Sequence, residues 1–296
     1  MKIVYSDQYD LNLGDHVFRA AKYRLTKEKL LRDGVVVEAD VLEPEAAPDE
    51  DIARVHDADY IEKLKQGTLS YQEILMMEVP YSQQLVQAVW LAAGGSTMAA
   101  RLALDEGAAV NVGGGFHHAF PDHGEGFCVI HDVAVAIRRL QAENAIKTAM
   151  TIDCDVHQGN GTAFIFRDDP SVFTFSIHQK NNYPNPKPPS NLDVNLRDGV
   201  EDDEYLAELE RGIGESLAGF QPDLIFYIAG ADPYFRDQLG GLRLTMDGLK
   251  QRDRMVFEKA GKIPVAVTLA GGYAFHLEDT VEIHSNTARI TSEFAR

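Results

Sequence analysis

The chain has 296 residues, 45% of them hydrophobic and 25% charged, a composition that argues against disorder or a fibrous repeat and provides for a large core. Its 46 acidic against 28 basic residues leave a formal charge of −18, which argues against a nucleic-acid partner and suits cationic substrates. The N-terminus MKIVYSDQYD lacks a secretion-signal pattern, no apolar run reaches the roughly 18 residues of a membrane span, and Cys128 and Cys154 lie inside regular segments, so a reducing cytoplasm is expected.

No linker-like stretch divides the chain, and a single domain over 1–296 is expected. Residues 2–5 read as a short strand and residues 17–31 as a helix closed by Gly34. A second strand is predicted over 35–42, a loop over 44–48, and one helix over 49–65 that ends at Gly67. Residues 73–78 are indistinct, a loop or short helix near a rim. The apolar stretch 82–105 predicts a long helix whose small residues Ala92, Ala93, Gly94 and Gly95 allow tight packing.

From there one pattern repeats: a short apolar strand, a polar cluster, then a helix. Strands are predicted at 109–112, 149–152, 172–177, 224–229 and 265–270, and helices at 133–143, 161–167, 203–218 and 246–261. Such alternation predicts a parallel sheet covered by helices on both faces. Ligands of open sheets bind beyond the carboxyl ends of the strands, where all five polar clusters fall.

The stretch TAMTIDCDVHQGNG carries the densest chemistry. In an extended strand Asp153, Asp155 and His157 share one side while Cys154 and Val156 take the other. Carboxylates leaving a buried strand repel and are poorly solvated, so a cation is their simplest compensator. The alternative is a buried acid pair satisfied by backbone amides beside a bystander histidine. Joined by Asp232, at the end of LIFYIAGAD, Asp155 and His157 make a set of the right size for catalytic zinc, while the carboxylate content leaves iron(II), cobalt and manganese open.

His117 and His118 follow the turn formed by Gly113, Gly114 and Gly115. Adjacent imidazoles beside such an ion offer a general base and a second ring for a leaving amine or developing charge; the bland reading is one helix cap and one core ring. GGGFHH lacks the lysine and the spacing of a phosphate-binding loop. Tyr273, after Gly271 and Gly272, would direct a phenol at the same crevice, where it can hydrogen-bond an oxyanion. Phe116 and Phe127 line an apolar channel or belong to the core.

Taken together, GGGFHHAF, GFCVIHD, IDCDVHQGNG, FSIHQ, AGADPY and LAGGYA resemble the ordered signature of the histone deacetylase superfamily, which includes the bacterial acetoin-utilisation proteins. GDHVF, VHDADYI, NNYP and SNLDVNL extend the match, and DVHQGNG with the short length is most similar to the class IV branch. The resemblance implies an arginase-like three-layer α/β/α fold whose central, mostly parallel sheet has about eight strands. It implies a zinc-dependent hydrolase, with Fe2+ as the alternative ion, that removes an acetyl or longer acyl group from lysine side chains or a small amine. Asp155, His157 and Asp232 match the metal ligands, His118 the general base and acid, His117 its electrostatic partner, and Asp153 the carboxylate that orients His117. Tyr273 matches the carbonyl-polarising phenol, Phe127 one wall of the acyl-lysine tunnel and His178 a position near the rim, with Gly126 and Gly271 as further substrate-binding positions. The family's structural potassium ion would draw on Asp153, Asp155, His157, Ser176 and Ile177, several through main-chain oxygen.

Two departures stand out. Asn160 replaces the aspartate that many members pair with the second histidine, and Arg19 replaces a frequent proline. Two rival readings are a module that holds an acylated amine without turnover and an arginase-like ureohydrolase with paired manganese ions. For the latter, Gly159 stands where an acid would be needed. The expected partner is an acylated lysine peptide or small acylated amine, with no nucleic acid and no membrane span; the oligomeric state is left open.

Overall fold

Eight short strands, most of them apolar runs bounded by glycine, proline and charged turns, form the centre of the molecule. In the computed structural model, which describes residues 1–296, they are β1 (Ile3–Val4), β2 (Val41–Leu42), β3 (Ala108–Asn111), β4 (Ala149–Asp153), β5 (Val172–Gln179), β6 (Leu192–Leu196), β7 (Leu224–Ile228) and β8 (Val265–Thr268). Every pairing is parallel, in the order β2-β1-β3-β8-β7-β4-β5-β6. The expected sheet of mostly parallel strands is therefore parallel throughout.

The helices are α1 (Ala21–Arg32), α2 (Asp49–Ile52), α3 (Ala58–Gln66), α4 (Tyr71–Met77), α5 (Gln83–Glu106), α6 (Asp132–Ala142), α7 (Asn160–Phe166), α8 (Asp202–Gly219), α9 (Met246–Ala260) and α10 (Leu277–Phe294). The strands alternate between two cores, as a sheet covered on both faces requires. Ala109, Ala149, Phe226 and Ala266 pack with α5, α6 and Phe166 of α7, whereas Val110, Met150, Tyr227 and Val267 pack with α1, α8, α9 and α10. Each buried Val, Leu or Phe among them contributes about 1.5–3 kcal/mol by leaving water. Local signals set the helix ends. The Ser82 hydroxyl accepts from the Leu85 amide to start α5, and Gly107, at φ 86°, ends it.

Several expectations give way to tertiary contacts. The helix expected over 17–31 begins only at Ala21, because residues before it are tied elsewhere: the Phe18 amide donates to His16 Nδ1, and Arg19 donates to the Ala274 carbonyl. The strand expected over 35–42 shrinks to Val41–Leu42, with a 3-10 turn at Glu38–Asp40 before it. The single helix expected over 49–65 breaks in two where the Asp57 amide donates to the Pro121 carbonyl, 2.8 Å away. The indistinct stretch near 73–78 lies mostly in α4, which a Ser70–Glu73 capping box starts. Two elements, β6 and α10, have no counterpart among the predicted ones.

Candidate active site

Four neighbouring strands, β3, β8, β7 and β4, end at the same crevice. β3 runs into Gly113 and then His117 and His118. β4 ends at Asp153 and continues to Asp155 and His157, β7 leads to Asp232, and β8 leads to Gly271 and Tyr273. Clusters separated along the chain thus meet because their strands are adjacent.

Asp155, His157 and Asp232 are buried and offer ligand atoms that all lie within 4.8 Å of one another. His157 Nδ1 is 3.0 Å from Asp155 Oδ1 and 3.6 Å from Asp232 Oδ2. Backbone amides hold the carboxylates: Val156 N–H donates to Asp232 Oδ1 at 2.8 Å, and Gly271 N–H to Asp155 Oδ2 at 3.1 Å. Asp232 Oδ2 is buried with no hydrogen-bond partner. Burial and the Asp155 charge push the Asp232 carboxyl up to about 7. Burial opposes the His157 charge, yet Asp155 and Asp232 together raise the ring to about 10. An orphaned carboxylate oxygen, a second carboxylate and an imidazole around one point fit a divalent cation, which would compensate all three. Gly271 keeps that space open, since a Cβ there would overlap both Asp232 Oδ2 and Asp155 Oδ2.

The paired histidines have opposite environments. His117 Nδ1 donates to Asp153 Oδ2 at 2.6 Å; burial disfavours its charge, but Asp153 and Asp155 outweigh burial and raise it to about 9. His118 lies 4.0 Å from it, centroid to centroid, and its Nδ1 meets Asn160 Oδ1 at 2.7 Å. Burial, then His117 and His157, push His118 well below its ordinary value. The two rings are therefore driven in opposite directions, His117 toward the cation by its carboxylate neighbours and His118 toward the neutral form by burial and its cationic neighbours.

Tyr273 is buried beside them, its ring 6.5 Å from that of His157 and 5.7 Å from that of Phe127. Burial and then the Asp155 and Asp232 charges raise the phenol well above its ordinary value, so it is a hydrogen-bond donor. Its backbone amide donates to Asp237 Oδ2 at 2.6 Å, and the other Asp237 oxygen accepts from Leu239 and Gly240. Phe127 adopts φ 68°, uncommon for a non-glycine residue, with its amide on the Met77 carbonyl. At Gly126, φ 53°, a Cβ would come within 2.9 Å of both His118 and Tyr183.

His178 departs from expectation. It is fully buried, not at the rim, because β5 runs on through Gln179 and the ring is held between Ser176 Oγ at 2.9 Å and Asn195 Oδ1 at 3.2 Å. A further aromatic side chain beside the paired histidines is Tyr183, whose ring stands 4.9 Å from that of His118 at 84°. The NNYP motif contains it, but only the fold brings it to the site. Glu125 and Asp237 were equally hidden in loops. Lys22 gave no sequence signal at all: it is buried in α1 behind the site, donates to the Ala270 carbonyl at 2.7 Å, and is pushed down to about 8 by burial, against the pull of Asp232 and Asp155. Arg252, also buried, donates to the Gly230 carbonyl at 2.6 Å and so braces the turn that carries Asp232.

The histone deacetylase domain family, described as a sequence profile, matches residues 16–288. An uncharacterized protein of Picosynechococcus is 41% identical, over 96% of this chain and 95% of its own length. Histone deacetylase 2 of Arabidopsis thaliana is 31% identical over 92% of this chain and 74% of its own, and the acetoin utilization protein AcuC of Bacillus subtilis 30% over 85% and 71%. The crystal structure of a histone deacetylase homolog from Aquifex aeolicus covers 99% of this chain and 84% of its own at a TM-score of 0.84 and 24% identity, a likeness of fold.

Proposed function

From the premise that this chain belongs to the histone deacetylase family and is a deacetylase-type enzyme, we propose that it is a zinc-dependent amidohydrolase that removes an acetyl or longer acyl group from a lysine side chain or a small amine. The observation that carries the reading is the orphaned Asp232 oxygen, which shares a pocket with Asp155 and His157 and lies beside a neutral His118 and a protonated Tyr273. Zinc held by Asp155, His157 and Asp232 would supply Lewis acidity toward the acyl carbonyl and toward water.

The chain's own groups do the rest. His118 takes the proton of the attacking water on Nε2, because Asn160 occupies Nδ1. Tyr273 donates its hydroxyl to the carbonyl oxygen as negative charge develops there. His118 then delivers its proton to the departing amine, and the amide bond breaks without a covalent bond to the protein. His117, kept cationic by Asp153, places positive charge beside the oxyanion. Phe127 and Tyr183 flank the acyl-amine stem and exclude water.

A potassium ion near Asp153 is part of the proposal; Ser176 lies beside Asp153 in register and both are buried, which suits oxygen ligation. No step depends on it. We also propose that residues 1–296 form one catalytic domain, supported by a sheet that draws strands from Ile3 to Thr268. The two free buried cysteines fit a reducing cytoplasm, and no helix is long and apolar enough to cross a membrane. An arginase-like pair of ions is disfavoured because Gly159 lacks a ligand and a Cβ there would approach Asp153 Oδ2 to 2.7 Å. The test is metal analysis joined to a panel of acetyl-, medium- and long-chain acyl-lysine peptides and acetylated polyamines. One ion per chain with amide turnover is expected; a well-folded, zinc-loaded protein inert toward every member would overturn the reading.

A further inference from the structure

The hydrogen bond between His118 and Asn160 has a direction that Asn160 alone does not determine. A carboxylate presents an acceptor whichever way it turns, but an amide presents oxygen on one side and NH2 on the other. With Oδ1 toward the ring, His118 must carry its proton on Nδ1 and keep Nε2 free as a base. With the amide turned over, NH2 would face Nδ1, and the proton would move to Nε2. The base would then be lost.

Glu125 stands on the far side of that amide. Its Oε1 accepts from Asn160 Nδ2 at 2.8 Å and also from the Tyr183 hydroxyl, and its Oε2 lies 3.4 Å from His123 Nε2. A turned-over Asn160 would press its oxygen against this carboxylate, which has no proton to offer. Burial favours the neutral acid, but the donors His123, Tyr183 and Asn160 outweigh it and lower the Glu125 carboxyl below its ordinary value. With these donors engaged, Glu125 is not a free anion awaiting a cationic substrate.

We infer that Glu125 is a positioning residue that fixes the orientation of Asn160 and thereby selects the base-competent tautomer of His118, a task created by the neutral amide at position 160. The same carboxylate secures the tunnel wall through Tyr183, so base and wall share one anchor. The inference rests on the proposed role of His118 as general base.

The experiment compares Glu125→Ala and Glu125→Gln in the full-length zinc-loaded protein, each in the native background and with Asn160→Asp, on an acetyl-lysine peptide amide. Glu125→Ala is expected to lower kcat about 10- to 100-fold, with KM changed less than about threefold. Glu125→Gln, which keeps an oxygen acceptor without the charge, should hold kcat within about threefold of the native protein. With Asn160→Asp in place, Glu125→Ala should cost less than about threefold in kcat, because a carboxylate partner needs no orienting and only the anchoring of Tyr183 is then lost. Nitrogen NMR of the imidazole rings should report the Nδ1–H tautomer of His118 in the native protein and a mixture in Glu125→Ala. An undiminished kcat in Glu125→Ala, an equal loss in both backgrounds, or an unchanged tautomer would overturn the inference. If the native protein turns over no acyl amide, the proposed hydrolase fails, while the tautomer comparison still decides the role of Glu125.

Discussion

Replacing Asn160 by aspartate puts a negative charge where the structure has a neutral amide oxygen, 2.7 Å from His118 Nδ1. Burial, His117 and His157 keep native His118 well below its ordinary value, so the ring is neutral throughout the neutral range. A unit charge about 4 Å from the imidazolium, at an effective dielectric near 20, stabilises the protonated ring by about 4 kcal/mol, or about 3 pK units. Glu125, at 2.8 Å from the same side chain, opposes this, because two adjacent carboxylates cannot both ionise freely. The net rise is about 1 to 3 units. A general base works only when unprotonated, so raising its proton affinity moves the acid limb of the rate profile to higher pH. The assay is kcat/KM on an acetyl-lysine peptide across about pH 5 to 9, for native and Asn160→Asp proteins at equal zinc occupancy. An acid limb that stays in place or moves down would refute the electrostatic argument.

Asp155→Ala and Asp232→Ala should each lose both bound zinc and turnover; an elemental assay that finds normal zinc in either removes that residue from the ligand set. Gly271→Ala, whose Cβ would overlap both carboxylates, should fold with its sheet intact by circular dichroism but bind zinc at least about tenfold more weakly, the equivalent of only about 1.4 kcal/mol. Tyr273→Phe should lower kcat by about 10²- to 10³-fold with little change in KM, as loss of one oxyanion donor does, and a change confined to KM would contradict the role. Zinc at about 100 times its dissociation constant should stabilise the native protein by about 2.7 kcal/mol, read as a rise in Tm that chelator reverses and that Asp232→Ala lacks.

The strands that carry the chemistry were legible because each is an apolar run that stops at glycine, histidine or aspartate; four of the five expected clusters converge, while His178 stays within β5, held by Ser176 and Asn195. The strand expected through the critical stretch stops at Asp153, and it is the bend after it that buries Cys154 and Val156 in the core while Asp155 and His157 face the pocket. What escaped was decided by tertiary contact. The α10 helix buries Thr280, His284, Ser285, Thr287 and Thr291 among Val281, Ile283, Ala288 and Ile290, so polar residues dilute the apolar period of its inward face. LDVNL, between prolines and an acidic turn, becomes β6 only by pairing with β5. Lys22 counts as polar in any pattern, yet it is buried at 1% exposure over the rings of Phe18, Tyr23 and Tyr273. Glu125 and Tyr183 matter only through each other and Asn160, a relation across loops that no local spacing announces.

The adjacency of β7 and β4 has a consequence for how the protein matures. Asp155 and His157 follow one strand and Asp232 the other, so a nascent chain holds no nest for the ion until both have docked. Tight zinc uptake should consequently lag behind collapse, and a fluorescent zinc indicator mixed with refolding protein would time the closure of the sheet's middle, a clock built into the molecule.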